Sequence, residues 1–123
     1  MPRKANNTAA NGIMPRLRVV HGDEIALGPG KVRLLELVNS TGSIAQAAKQ
    51  MGMSYMRAWT LIRTMNRCFR APLVVSVRGG TKGGGAQVTD AGREALALYQ
   101  SMERQFVAAA DDSWKRLSSM LAD

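Results

Sequence analysis

The sequence is short of the residues that most enzyme chemistry needs. Its 123 residues include one cysteine, Cys68, and one histidine, His21. A single thiol excludes an intramolecular disulfide and any multi-cysteine metal site, and it suits a reducing cytoplasm. One histidine with one cysteine puts most zinc sites and acid–base triads out of reach, so no metal, cofactor or catalytic residue is expected. No apolar run approaches the roughly 18–20 residues that span a bilayer, and no membrane partner is expected. The opening MPRKANNTAANG is basic and rich in small residues, with no apolar stretch behind it. It reads as a disordered arm over 1–15 rather than a secretory signal, ahead of a folded domain over 16–110 and a helical tail over 111–123.

Acid is scarce too. Seventeen Lys and Arg face nine Asp and Glu, giving a net charge of +8 and a pI near 10.6. From residue 37 to residue 89 no acid occurs, while Lys49, Arg57, Arg63, Arg67, Arg70, Arg78 and Lys82 all lie there. A solvated basic face needs no partner, but so long a span without compensation favours a polyanion, and nucleic acid first. The apolar fraction of 46% is enough to build the core of one compact domain.

The apolar pattern sets the elements. Leu17, Val19 and His21 alternate with Arg18 and Val20, a short strand in which His21 is a strand or edge residue rather than a ligand. Pro29 suits a first helical turn, and Val32, Leu35 and Val38, with Leu34, predict a helix over 30–41 that Gly42 stops. Ser43 followed by Gln46 is a capping box, Ala47 and Ala48 allow close helix approach, and Gly52 in QMGMS is a turn residue. Ser54 caps a third helix whose buried stripe is Ala58, Ile62, Met65 and Phe69. Arg57, Thr60, Arg63, Thr64 and Arg67 lie on its other sides. Tyr55 and Trp59 stand open between packing and contact with a base or sugar.

Five of the twelve glycines fall between residues 79 and 85, in RGGTKGGGAQVT. A phosphate-binding P-loop would need G-x-x-x-x-G-K-[ST] between a strand and a helix. Here Lys82 precedes Gly83–Gly85, and two strand-like runs, Leu73–Arg78 and Ala86–Val88, flank the glycines, which predicts a β-hairpin. Thr89 then caps a long helix with Asp90 in its first turn. Its apolar stripe, Ala91, Ala95, Leu98, Met102, Phe106 and Ala109 with Tyr99 beside it, is long for so small a core. Burial of Ala95, Leu98, Tyr99, Met102 and Phe106 against the same helix of a second chain explains it best. Trp114, Leu117 and Leu121 keep helical spacing in the tail, which either continues that helix or restarts after Asp111–Asp112–Ser113. The order predicts a mainly α fold with a small β-hairpin: a winged helix-turn-helix with a long C-terminal dimerisation helix.

These motifs resemble a known family. Gly42–Ser43–Ile44, Gly52, Ser54–Tyr55, Ala58–Trp59, Met65–Asn66, Lys82–Gly83–Gly84–Gly85 and Thr89 follow the pattern of the ModE N-terminal DNA-binding domain, related to the LysR-type winged helix. The resemblance covers roughly Leu17 to Phe106. It implies a dimeric bacterial transcription regulator on double-stranded DNA, in the cytoplasm at the nucleoid. The paired molybdate-binding domains of that family would begin where this sequence stops, so no small-molecule ligand is expected within it.

In a helix-turn-helix the second helix enters the major groove led by its N-terminal residues. That assigns base-edge contact to Tyr55, Met56, Arg57 and Thr60, beside the cap Ser54, with Arg63 near the groove wall. Ser43 and Gln46 would meet phosphates at the start of the first motif helix. Arg67, Arg78 and Lys82 would do so without regard to sequence. A homodimer on a pseudo-palindromic operator follows. The rival readings are an architectural or nonspecific DNA-binding protein, and an adaptor that dimerises with a sensor-bearing homologue.

Overall fold

The computed structural model describes residues 11–78 and 85–123. Among them the chain forms β1 (Val19–His21), β2 (Glu24–Leu27), α1 (Pro29–Thr41), α2 (Ile44–Met51), α3 (Tyr55–Cys68), β3 (Val74–Val77), β4 (Gly85–Val88), α4 (Asp90–Ala109) and α5 (Asp111–Ser118). Residues Arg16–Gln100 pack as one compact unit, and the chain from Ser101 belongs to a second.

The single strand expected near the start is a hairpin. β1 and β2 pair antiparallel, with His21 opposite Glu24, and Gly22 turns the chain at φ 61°. A Gly-Asp pair between two apolar stretches is a two-residue hairpin signal, and the sequence carries it at Gly22–Asp23.

α1 is the central helix. Val32, Leu34, Leu35, Leu37 and Val38 are all buried, so more than one stripe of it faces protein. Gly42 ends it in the left-handed region at φ 69°, its N–H donating to the Val38 carbonyl. The next cap is built differently from a reciprocal box. Ser43 Oγ accepts from Gln46 N at 3.0 Å, but Ser43 N donates to Thr41 Oγ1 at 3.2 Å. Thr41 thus takes the part expected of the Gln46 side chain, which is left exposed.

β3 and β4 form an antiparallel ladder from Val74 opposite Val88 to Val77 opposite Gly85. Asn66 fastens this wing to α3. Its Oδ1 accepts from Leu73 N at 2.8 Å and from Val74 N at 3.3 Å, and its Nδ2 donates to the Val74 carbonyl at 3.0 Å. The side chain amide stands in for a neighbouring strand. From the other side Thr89 N donates to Leu73 O at 2.9 Å, and the Thr89 hydroxyl donates to Pro72 O at 2.7 Å while accepting from Gly92 N at 3.0 Å. Gly92 is required by close approach: a Cβ there would lie 2.6 Å from Val88 Cγ1 and would collide with the Leu73 carbonyl oxygen.

The core joins Leu34, Leu35 and Val38 of α1, Ala47 and Ala48 of α2, Ala58, Ile62 and Met65 of α3, and Leu73, Val74 and Val88 around the wing. α4 adds Leu96 and Tyr99. Its buried face is therefore Gly92, Leu96 and Tyr99 rather than the Leu98 stripe. This corrects the place of Tyr99: it is 1% exposed, and its hydroxyl donates to Leu17 O at 2.7 Å. The tail does not continue α4. The chain turns at Ala110, and α5 starts at Asp111 with no buried residue.

Candidate nucleic-acid interface

α3 turns by about 100° per residue, which sorts its side chains into four directions. Ala58, Ile62 and Met65 point into the core. Met56, Thr60 and Arg63 point the opposite way, and all three are exposed. Tyr55 and Trp59 line the flank toward the wing, in a cleft of about 270 Å³ with Ser43, Ile44, Val77 and Arg78. Arg57 and Leu61 line the other flank. The segment begins as a helix because Ser54 Oγ accepts from Arg57 N at 3.0 Å, giving a partner to one of the orphan N–H donors of a first turn. The cap uses the Arg57 backbone and leaves its guanidinium available.

Within the outward face, the Thr60 hydroxyl donates to Met56 O at 3.0 Å. Its proton is spent inside the helix, so the oxygen faces outward as an acceptor. Such a group suits an amino group on a base edge. Arg63 stands beside Met56 and Trp59 in a shallow depression. Tyr55 and Trp59 resolve as a pair: Trp59 Nε1 donates to Tyr55 Oη at 2.5 Å, and the rings meet edge to face at 6.4 Å and 80°. Tyr55 remains 49% exposed, while Trp59 is half-buried and packs against the core, so the pair forms a wall of the cleft anchored to the core by its tryptophan.

The wing closes that cleft. Ala86 N donates to Gly42 O at 3.0 Å, and a Cβ on Gly85 would come within 2.9 Å of the same oxygen. The backbone of β4 thus docks on the turn that leads into α2, next to the Ser43 cap and the exposed Gln46. Arg78 is exposed at the end of β3. Lys82, the wing-tip cation expected from the sequence, lies outside the described residues.

Charge completes the site. Four ion pairs occur among the described residues, Arg33–Glu36, Arg67–Glu24, Arg93–Asp90 and Lys115–Asp111. None involves Arg57, Arg63 or Arg78. Arg67 is the exception within the expected set. Its guanidinium holds the Glu24 carboxylate of β2, and that hydrogen bond keeps Glu24 below the ordinary carboxylate range and raises Arg67. The acid-free span from 37 to 89 is acid-free only along the sequence; the fold brings Glu24 back to it. Cys68 Sγ lies 3.9 Å from the same carboxylate.

Two antiparallel hairpins around a helix-turn-helix, with a cationic outward helix, define a winged helix-turn-helix of the DNA-binding class. The fold is shared with the crystal structure of a MepR mutant from a multidrug-resistant S. aureus clinical isolate, at TM-score 0.51 and 15% identity, over 79% of this chain and 67% of that one. The chain belongs to the bacterial regulatory helix-turn-helix proteins of the lysR family, which it matches over residues 30–93. It is 44% identical over 95 residues to the molybdenum transport protein ModE of Azotobacter vinelandii, covering 77% of this chain and 35% of that protein. It is 38% identical over 98 residues to the DNA-binding transcriptional dual regulator ModE of Escherichia coli K12, covering 76% of this chain and 37% of that one. The chain thus spans about a third of the length of these relatives. It is a DNA-binding helix-turn-helix domain of a transcription regulator related to ModE.

Proposed function

We propose that the chain reads a specific, two-fold-related DNA site as a homodimer and controls transcription from it in the cytoplasm, without enzymatic activity. The observation that carries this reading is the outward face of α3. Met56, Thr60 and Arg63 are presented away from the core, flanked by a ring pair and a wing, with Arg57, Arg63 and Arg78 free of acidic partners among the described residues. Arg63 offers two hydrogen bonds to guanine O6 and N7, Thr60 an acceptor, and Met56 an apolar contact for a thymine methyl. Ser43, Gln46 and Arg78 hold phosphates on the wing side, with Ser54 ordering the first turn of the reading helix. Lys82, expected from the sequence to join them, lies outside the described residues. Arg67 contributes to the phosphate track only as far as Glu24 releases it.

Dimerisation rests on α4. Leu98 is 57% exposed, Met102 36% and Phe106 58%, at four-residue spacing beside the half-buried Ala95. Such a stripe is the surface that the same helix of a second copy would cover. Two reading helices held by that contact would address half-sites about one DNA turn, ~34 Å, apart or a multiple of it. The molybdenum transport in the name of the Azotobacter relative is not carried to these residues.

The test compares the affinity for duplexes enriched from genomic DNA by the protein with that for random duplexes at physiological salt. A ratio of about 10³ or more supports the reading. A ratio near one would make the chain an architectural binder.

A further inference from the structure

We propose that Arg16, Arg18 and Lys31, together with Arg57, form a second phosphate grip on the flank of α3 opposite the wing, holding the other backbone of the same major groove. The inference rests on the DNA-binding reading above and adds residues outside its acid-free span. The four cations line one cleft of about 230 Å³, floored by Gly28–Gly30 and walled by Met53 and Leu61, and no acidic residue lines it. None of the four takes part in an ion pair among the described residues. Glu24 feels the charge of Lys31, but its carboxylate is engaged by Arg67.

The cleft is also held in shape. Lys31 Nζ donates to Ile25 O at 2.6 Å, which fixes the ammonium while leaving two of its N–H groups for a ligand. The Arg18 stem lies over Gly28, whose Cβ, if present, would stand 3.5 Å from Arg18 Cγ. Arg16 and Arg57 are exposed at its mouth.

Groove dimensions supply the ligand. A major groove about 12 Å wide is filled by a helix about 10–12 Å across with its side chains. Both phosphate rows then run beside the flanks of α3. The wing and the Ser43 cap meet one row, and the cleft shared with Arg57 faces the other. A phosphodiester of that second row is therefore the occupant, rather than a free oxyanion.

The full chain and an Arg16→Gln/Arg18→Gln variant are titrated against one enriched duplex and one random duplex over a salt series, with hydroxyl-radical footprints of both. Two lost contacts should lower the slope of log K against log salt by about two. Affinity should fall by a similar factor on both duplexes, and protection should vanish on a backbone stretch that an Arg78→Gln variant still protects. Both arginines are exposed, and an unchanged circular dichroism melt confirms the fold. A wild-type slope and footprint in the double variant would overturn the inference while leaving the DNA-binding reading intact. Loss of inorganic phosphate binding with an unchanged DNA slope would overturn it in favour of a free oxyanion. A wild-type chain that binds neither duplex would remove both.

Discussion

At the scale of single residues, the Glu24–Arg67 pair decides how much charge the reading helix presents. Glu24 withdraws one arginine from the phosphate track by holding it 43 positions away in sequence. A Glu24→Gln variant should release it, steepening the salt slope by about one and tightening low-salt binding to any duplex; an unchanged slope would place Arg67 outside the interface. The pair also carries a pH signature. Because the folded pKa of Glu24 lies below its ordinary value of 4.5, its stabilisation is fully present above that value and is lost as pH falls through the folded value. Melts of wild type and Glu24→Gln should differ at neutral pH and converge in acid. Gly92 makes a different residue-scale demand. Gly92→Ala drives a methyl into Val88 and the Leu73 carbonyl, and urea unfolding should show a loss of at least about 1–3 kcal/mol.

At the scale of elements, the wing is held by side chains rather than by the sheet alone. Asn66→Ala would strand the Leu73 and Val74 N–H groups and the Val74 carbonyl that Asn66 now serves. Leaving such groups without partners costs about 1–3 kcal/mol each where they are buried. The variant should therefore lose stability and wing-side footprint protection together. A loss of stability with full wing protection would mean the clamp does not orient the wing. Most of the elements are legible in the sequence because their punctuation is local: Pro29, Gly42, Ser43, Gly52, Ser54 and Thr89 each act within one turn. What stayed hidden depends on contacts between distant segments. Thr41 displaced Gln46 in the second cap because a threonine hydroxyl two residues away is nearer than a glutamine amide. Tyr99 and Leu98 both lie on apolar positions of α4, and only the fold shows which of the two faces meets the core. β2 is not legible by alternation, since EIAL is too short to show it, although Gly22–Asp23 marks its turn.

At the scale of the whole molecule, the outward direction of α3 was readable from periodicity, and so was its charge. The cleft of Arg16, Arg18 and Lys31 was not, because it joins the N-terminal hairpin, α1 and α3 across the fold. Assembly belongs to this scale as well. Met102→Glu/Phe106→Glu places two charges on the exposed stripe of α4. Sedimentation should then show a monomer where wild type sediments as a dimer, and the footprint should shrink to one half-site. A wild-type monomer that protects a single undivided half-site would contradict the dimeric reading.

The central claim is that the face of α3 opposite the core reads base edges, and a base-pair substitution profile of an enriched duplex tests it most directly. Arg63→Ala should flatten the preference at one or two base pairs by about 1–3 kcal/mol, leaving the other positions discriminated as in wild type. A uniform loss of affinity across every substituted duplex, with the profile unchanged in shape, would contradict it.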